Sequence, residues 1–355
     1  METGLIAGAL VVAVSGLVMG TSAWPLKLMR HFQYEQFGFV SMLFSLLVLP
    51  WAITLATCPQ VFNAYASVPV LVLVKANLFS MSWGIAQVLA LLCFVRIGVS
   101  LTYGILCSVG AAVGVAVPLV FKASGAFANA PGLFSPTGLV VMIGVAVMIA
   151  GVCLASLAGF GREKSRLAPA GETAVRSAPA QGGFTVGLVM VIVSGVLSTG
   201  WGFAFAYAQA PIIEAVKAKG APDFYAGLSV WSVALLGAAL VNVIYPAYLM
   251  TKNRSWGVLT QHPREVLLAL VYGLLFFIPS ALLGKGMLLL GALGASVGWG
   301  LVQGTLILGG QMLGFASGEW RGVTGPPRRH IYIAIVFLIV AMVILAFANA
   351  LVNRG

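Results

Sequence analysis

Two aromatic–amide pairs are the residues of this chain whose types and spacing best fit the binding of a polar solute. Trp83 stands four residues before Gln87, and Trp299 stands four residues before Gln303. Side chains four residues apart share one face of a helix, so each pair sets an indole ring one turn from an amide. This combination suits a sugar, whose C–H faces pack on an aromatic ring while its hydroxyls bond to amide donors and acceptors.

Further polar and aromatic residues lie in equally apolar stretches and extend this candidate site. The predicted substrate-binding residues are Trp83, Gln87, Tyr103, Trp201, Asn242, Trp299 and Gln303. The alternative is that the aromatic residues mark membrane interfaces and that the amides join neighbouring helices. Because the same pair recurs in two distant regions, we favour a pocket.

The composition requires that lipid surround most of the chain. Of its 355 residues, 61% are hydrophobic and 8% are charged, whereas soluble domains carry about 25% charged residues. Since a spanning helix needs roughly 20 apolar residues, the apolar runs predict ten helices. Their ranges are 4–22, 37–57, 68–94, 99–121, 137–159, 185–208, 226–250, 266–290, 294–316 and 331–351.

A repeated motif divides the chain into two related halves. The stretch IGVSLTYG at 97–104 and the stretch LGASVGWG at 293–300 share the order aliphatic-Gly-x-Ser-aliphatic-x-aromatic-Gly, 196 residues apart. A polar linker at 161–183 separates a first half, 1–160, from a second half, 184–355. Two related halves with five spans each must lie in opposite orientations. We therefore predict an all-α polytopic membrane protein built as a 5+5 inverted repeat.

The basic residues predict the orientation. Thirteen of the 19 lysines and arginines lie between spans 1–2, 3–4, 5–6, 7–8 and 9–10, and six lie on the other side. The positive-inside rule puts the thirteen, and the linker, in the cytoplasm and both termini outside. Because these residues are scattered between apolar runs, the net charge of +11 does not indicate a nucleic-acid partner.

Ionisable residues near the spans are candidates for coupling or gating, because charge near the membrane interior is costly. We single out Glu214, Glu35, Lys27 and Lys285, each of which could instead be a solvated or snorkelling residue. None of the eight acidic residues lies mid-span, and the three histidines are in separate loops. We therefore expect no enzyme activity, no metal site and no cofactor.

Five short stretches follow one another along nearly the whole chain: WPLK at 24–27, LPWAI at 49–53, WGIAQ at 83–87, GVS at 98–100 and GEW at 318–320. In this order they resemble the L-rhamnose–proton symporter family of the drug/metabolite transporter superfamily. The resemblance implies a ten-helix inverted repeat in the bacterial inner membrane. It also implies that the protein takes up a sugar together with protons.

The chain departs from the family pattern at three positions. Gln87 stands where the sugar symporters carry Asn, Leu89 replaces a further amide, and residues 294–296 read Gly-Ala-Ser without the expected acidic residue. The missing carboxylate leaves the proton coupling and the solute open. The alternatives are a drug or metabolite exporter of the same superfamily and a membrane protein that transports nothing.

Overall fold

The chain is helical throughout the part that the computed structural model describes, residues 2–97, 99–121, 132–167 and 183–352. Before residue 168 the helices are α1 (Glu2–Thr21), α2 (Tyr34–Leu43), α3 (Leu49–Thr57), α4 (Val61–Ser67), α5 (Val70–Ile97), α6 (Val99–Val120) and α7 (Pro136–Leu167). After residue 182 they are α8 (Gly183–Ser198), α9 (Gly200–Lys217), α10 (Asp223–Ala234), α11 (Leu236–Lys252), α12 (Gly257–Gln261), α13 (Pro263–Leu289), α14 (Val297–Ala316) and α15 (Pro326–Val352).

Most of these helices are suited to cross a membrane. The described residues contain eight segments that are long and apolar enough, and α10 with α11, bent by 50°, would make a ninth. The helix α14 has 20 residues but is less apolar, because it carries Gln303, Gln311 and six glycines. The prediction of an all-α polytopic membrane protein is thus confirmed. The described residues contain eight or nine candidate spans, so the predicted count of ten is not confirmed.

Two groups of three helices each pack closely together. The helix α1 lies against α13 and α14, and α8 lies against α5 and α6. Between these groups α2 contacts α11 and α3 contacts α10, while α7 and α15 form a long pair. At its end α7 continues to Leu167, into the predicted linker, because no glycine or proline interrupts it after Arg162. Residues 168–182 of that linker lie outside the described part of the chain.

Polar side chains of α5 support the bend between α10 and α11. The first N–H groups of any helix lack intrahelical partners, and in lipid such groups must find partners within the protein. Asn77 Oδ1 accepts the N–H of Gly237 at 2.8 Å, and Ser80 Oγ accepts the N–H of Ala238 at 3.2 Å. The bend is therefore held by residues about 160 positions earlier in the chain.

Glycines bring α1 and α14 into backbone contact. A β-carbon on Gly20 would lie 2.1 Å from the carbonyl oxygen of Leu306, and one on Gly309 would lie 2.3 Å from that of Leu17. Such approach is typical of membrane helices, in which packing and interhelical hydrogen bonds drive association. No larger residue fits either position without separating the two helices.

We expect that Gly20→Ala lowers the free energy of unfolding by about 1–3 kcal/mol, because the new methyl group overpacks the α1–α14 contact. Thermal unfolding of the detergent-solubilised protein would measure the effect. The matched control is Gly4→Ala in the same helix, where a β-carbon meets nothing within 4 Å. Equal melting temperatures for the two variants would contradict this account of the contact.

Candidate substrate site

Aromatic rings from four helices meet between the two groups of helices. Trp83 on α5 and Trp201 on α9 have ring centroids 4.4 Å apart at an interplanar angle of 72°. Phe276 on α13 lies 4.8 Å from Trp201 and 5.9 Å from Trp83. Trp231 on α10 stacks on Phe205 at 4.6 Å and lies 6.0 Å from Trp201. We call these five residues the aromatic cluster.

Two indole groups of the aromatic cluster have unused donors. The Nε1 atoms of Trp201 and Trp231 are buried, and no acceptor within the described residues bonds to either. A buried donor without an acceptor costs about 1–3 kcal/mol. A polar solute that reached the cluster could offer its oxygens to these two donors, while its apolar faces contacted the rings.

Trp299 packs in the same region, but its indole N–H already has an acceptor. Its Nε1 donates to the carbonyl oxygen of Gly110 on α6 at 3.1 Å. The indole fills the space beside Gly114 and Gly202, where added β-carbons would lie 2.3 Å and 2.9 Å from its ring. With a 6% exposed side chain, Trp299 is a fixed wall next to Trp201. Trp83, the aromatic residue of the other aromatic–amide pair, is also buried, at 4% exposed.

The three predicted amides differ in their surroundings. Gln303 is 8% exposed and its Nε2 would lie 3.4 Å from a β-carbon on Gly110, close to the Trp299 contact. Gln87 is half-buried one turn from Trp83. Asn242 is 2% exposed and donates to Ala238 O of its own helix at 3.0 Å. Gln303 and Gln87 are thus the amides better able to meet a solute.

Tyr103 connects to the aromatic cluster through Tyr272. The two tyrosines lie close enough to interact electrostatically, and the ring of Tyr272 stacks with that of Phe276 at 6.4 Å. Tyr103 is nevertheless 51% exposed. Tyr103 thus lies at the edge of this region and not inside the aromatic cluster.

The four predicted coupling residues lie away from the aromatic cluster. Glu214 is exposed near the end of α9, and Glu35 accepts a hydrogen bond from Asn253 Nδ2 at 3.0 Å. Lys285 is exposed and contributes to the field at Asp223. Lys27 pairs with Glu319 and donates to Ser317 Oγ at 2.6 Å. The structure does not bring these four side chains together.

Glu319 joins the two sequence halves at the ends of their helices. Its carboxylate pairs with Lys27 after α1 and with Arg162 on α7, and the guanidinium of Arg162 lies 5.1 Å from the ring of Trp320. Burial opposes ionisation, but the hydrogen bond from Lys27 and the charge of Arg162 outweigh it and lower the pKa of Glu319. The carboxylate therefore stays charged at neutral pH.

Sequence reasoning missed part of the site for an identifiable reason. Phe205, Phe276, Trp231 and Tyr272 were not predicted, although Trp231 lies in a span that contributes Asn242. The chain has 20 phenylalanines, and local sequence does not separate them, because buried Phe205 and exposed Phe347 both stand between two alanines. The only available signal was the position of Trp231 within an apolar run.

Within the described residues the fold is that of a polytopic helical membrane protein, the architecture from which many solute transporters are built. The family model of the L-rhamnose-proton symport protein matches residues 1–351. The chain belongs to this family, which confirms the resemblance and the prediction that it is not an enzyme.

The chain is similar to curated members of this family over most of its length. It is 26% identical over 334 residues to the L-rhamnose-proton symporter of Cronobacter sakazakii, covering 92% of each chain. It is 25% identical to that of Pectobacterium atrosepticum, covering 92% of this chain and 93% of the relative. It is 23% identical over 357 residues to that of Yersinia pestis, covering 99% of this chain and 100% of the relative.

We expect Glu319→Gln to lower the free energy of unfolding at neutral pH by about 1 kcal/mol, the scale of a partly exposed ion pair. Because the pKa of Glu319 is lowered in the folded state, its contribution is full above the ordinary carboxyl pKa. It disappears as pH falls through the folded-state pKa.

Melting temperatures of the two proteins, measured from about pH 7 to about pH 3, should therefore converge towards the acid end. Glu214→Gln is the control, because Glu214 is exposed and has no ion pair within the described residues. A constant difference between wild type and Glu319→Gln across the pH range would contradict the role given to the carboxylate.

Proposed function

We propose that this protein is a secondary transporter that takes up a small sugar of the L-rhamnose type together with protons. The observation that carries the proposal is the pair of unused indole donors, Trp201 and Trp231, within a buried aromatic cluster. The named relatives, L-rhamnose-proton symporters, support the choice of sugar and of proton coupling.

The chemistry of the aromatic cluster fits a sugar in particular. L-rhamnose has hydroxyl groups that can accept from indole N–H donors, and C–H faces that can pack on the rings of Trp83 and Phe276. Gln87 and Gln303 add groups that both donate and accept. We assign the predicted residues Trp83, Gln87, Tyr103, Trp201, Asn242, Trp299 and Gln303 to this site, with Trp299 as its fixed wall and Asn242 as a support beside Gly84.

We further propose that the halves are inverted repeats of five spans each, 1–160 and 184–355, joined by the linker 161–183. Ser15 on α1 donates to Pro279 O on α13 at 2.6 Å, and Ser194 on α8 donates to Ala86 O on α5 at 2.8 Å. The residue after each serine is a glycine, and these two glycines also have equivalent neighbours.

The contacts of Gly16 and Gly195 support the proposed alignment of the second half with the first. A β-carbon on Gly16 would meet Val302 O and Thr305 of α14, and one on Gly195 would meet Leu106 O and Val109 of α6. Val302 follows Leu106, and Thr305 follows Val109, by the same 196 residues that separate the two copies of the sequence motif. Two helix contacts thus support the offset of 196 residues that the repeated motif predicts.

We place the protein in the bacterial inner membrane with both termini outside and the linker in the cytoplasm. The excess of basic residues on the linker side supports this orientation. On that side Lys27 and Glu319 join the ends of helices from both halves, so we propose that they form part of a cytoplasmic gate. Glu35 lies on the same side, and Glu214 and Lys285 lie on the opposite side.

Proton coupling requires a group that gains and loses a proton during the cycle. We propose Glu214 and Glu35 for this role, because neither forms an ion pair within the described residues. Glu265, in contrast, is buried and accepts the backbone N–H groups of Arg30, His31 and Phe32. It is better suited to holding the loop after α1 than to exchanging protons.

We expect purified protein in proteoliposomes to accumulate labelled L-rhamnose when the outside is more acidic than the lumen, and to accumulate less without the gradient. A protonophore should abolish the accumulation and leave slow equilibration. Empty liposomes are the control for leakage. Uptake that ignores the pH gradient would remove proton coupling from the proposal while leaving sugar transport in place.

We expect Trp201→Phe and Trp231→Phe each to weaken L-rhamnose binding about tenfold, because each change keeps a ring but deletes one donor worth about 1–1.5 kcal/mol. Calorimetry on the solubilised protein would measure the affinity. Trp24→Phe is the control, since Trp24 lies on the surface outside the aromatic cluster. Unchanged affinity in both cluster variants would exclude the indole donors from the site.

A further inference from the structure

We propose that a cavity between the loop after α1 and the start of α13 binds the phosphate group of an anionic phospholipid. The cavity has a volume of about 470 Å³, and its lining includes Arg30 and His31 from one loop and His262, Arg264 and Glu265 from the other side. It is separate from the aromatic cluster, and its assignment does not depend on which solute the protein transports.

The cavity carries positive charge that the described residues do not neutralise. The guanidinium groups of Arg30 and Arg264 are exposed and form no ion pair within the described part of the chain. Lys27 also lines the cavity, but its ammonium group is held by Glu319. Two arginines are thus left to face the cavity, and arginine binds phosphate with paired, charge-assisted hydrogen bonds.

The one carboxylate in the lining does not pair with either arginine, because its oxygens already accept other groups. Glu265 accepts the backbone N–H groups of Arg30 at 2.9 Å, His31 at 3.1 Å and Phe32 at 2.7 Å. It also lies 2.9 Å from His31 Nδ1. Glu265 therefore fixes the shape of the loop and leaves the guanidinium groups free to bind an anion.

The cavity wall is rigid and suited to an anion. The rings of His31 and His262 stack with centroids 4.0 Å apart and an interplanar angle of 9°, which locks the two loops together. Beside them begins α13, a helix of 27 residues, whose positive dipole end favours negative charge. The binding groups are thus held in place before a ligand arrives.

Exposed apolar side chains beside the cavity point to a phospholipid rather than a free phosphate. Leu28 lines the cavity and is 48% exposed, and Trp24 and Leu26 on the same short 3₁₀ helix are also exposed. Tryptophan is enriched at the headgroup level of membranes, and basic pockets on the cytoplasmic side bind anionic headgroups. The acyl chains of a lipid could lie along this apolar surface while its phosphate entered the cavity.

The test is thermal unfolding of the full chain in neutral detergent with added phosphatidylglycerol, phosphatidylcholine, inorganic phosphate or sulfate. We expect phosphatidylglycerol to raise the melting temperature in a saturable way, since a ligand that binds only the folded state stabilises it. Phosphatidylcholine should have little effect. Arg30→Gln together with Arg264→Gln should weaken the apparent affinity for phosphatidylglycerol at least about tenfold.

The matched control is Arg321→Gln together with Arg329→Gln, which removes the same charge from exposed positions outside the cavity. Its affinity for phosphatidylglycerol should match that of the wild type. Stabilisation by inorganic phosphate, lost in the Arg30 and Arg264 variant, would support the phosphate site with a free anion as its ligand. No stabilisation by either phosphate source, or equal losses in the two double variants, would overturn the proposal.

Discussion

The whole structure depends on satisfying backbone polar groups without water. In lipid each unpaired N–H or C=O group costs several kcal/mol, so helices form, and they approach closely only where small residues allow it. Ser15 and Ser194 use this closeness, because each donates across a helix contact to a backbone carbonyl oxygen. The glycine that follows each serine packs on a further helix, because Gly16 lies against α14 and Gly195 lies against α6.

The same requirement explains how a tryptophan reaches the centre of the bundle. The bend after α10 exposes the first N–H groups of α11, and Asn77 and Ser80 of α5 accept them. The bend lets α10 run against α9, where Trp231 stacks on Phe205. A backbone interruption that would be costly in lipid is therefore stabilised by α5, the helix that also carries Trp83.

The sequence predicted the spans well because their physical cause is local. A bilayer requires a continuous apolar run of fixed length, and such runs are visible residue by residue. The bend at α10–α11 was not visible, because the groups that hold it lie about 160 residues away in Asn77 and Ser80. The recurrence of the aromatic–amide pair is visible in the sequence, whereas the hydrogen bond from Trp299 to the carbonyl oxygen of Gly110 is a contact that no local pattern encodes.

The distribution of charge separates the contacts that can open from those that hold the bundle together. The aromatic cluster contains no ionised side chain, and its rings are held by close packing, which stabilises helix association in lipid. The contacts of Glu319 with Lys27 and Arg162 are partly exposed, and ion pairs of this kind contribute about 1 kcal/mol or less. The ionic contacts at the helix ends can therefore break at small cost, while the packing within each group of helices persists. A transporter that must reopen in every cycle needs helix-end contacts that are weaker than the packing of its buried helices.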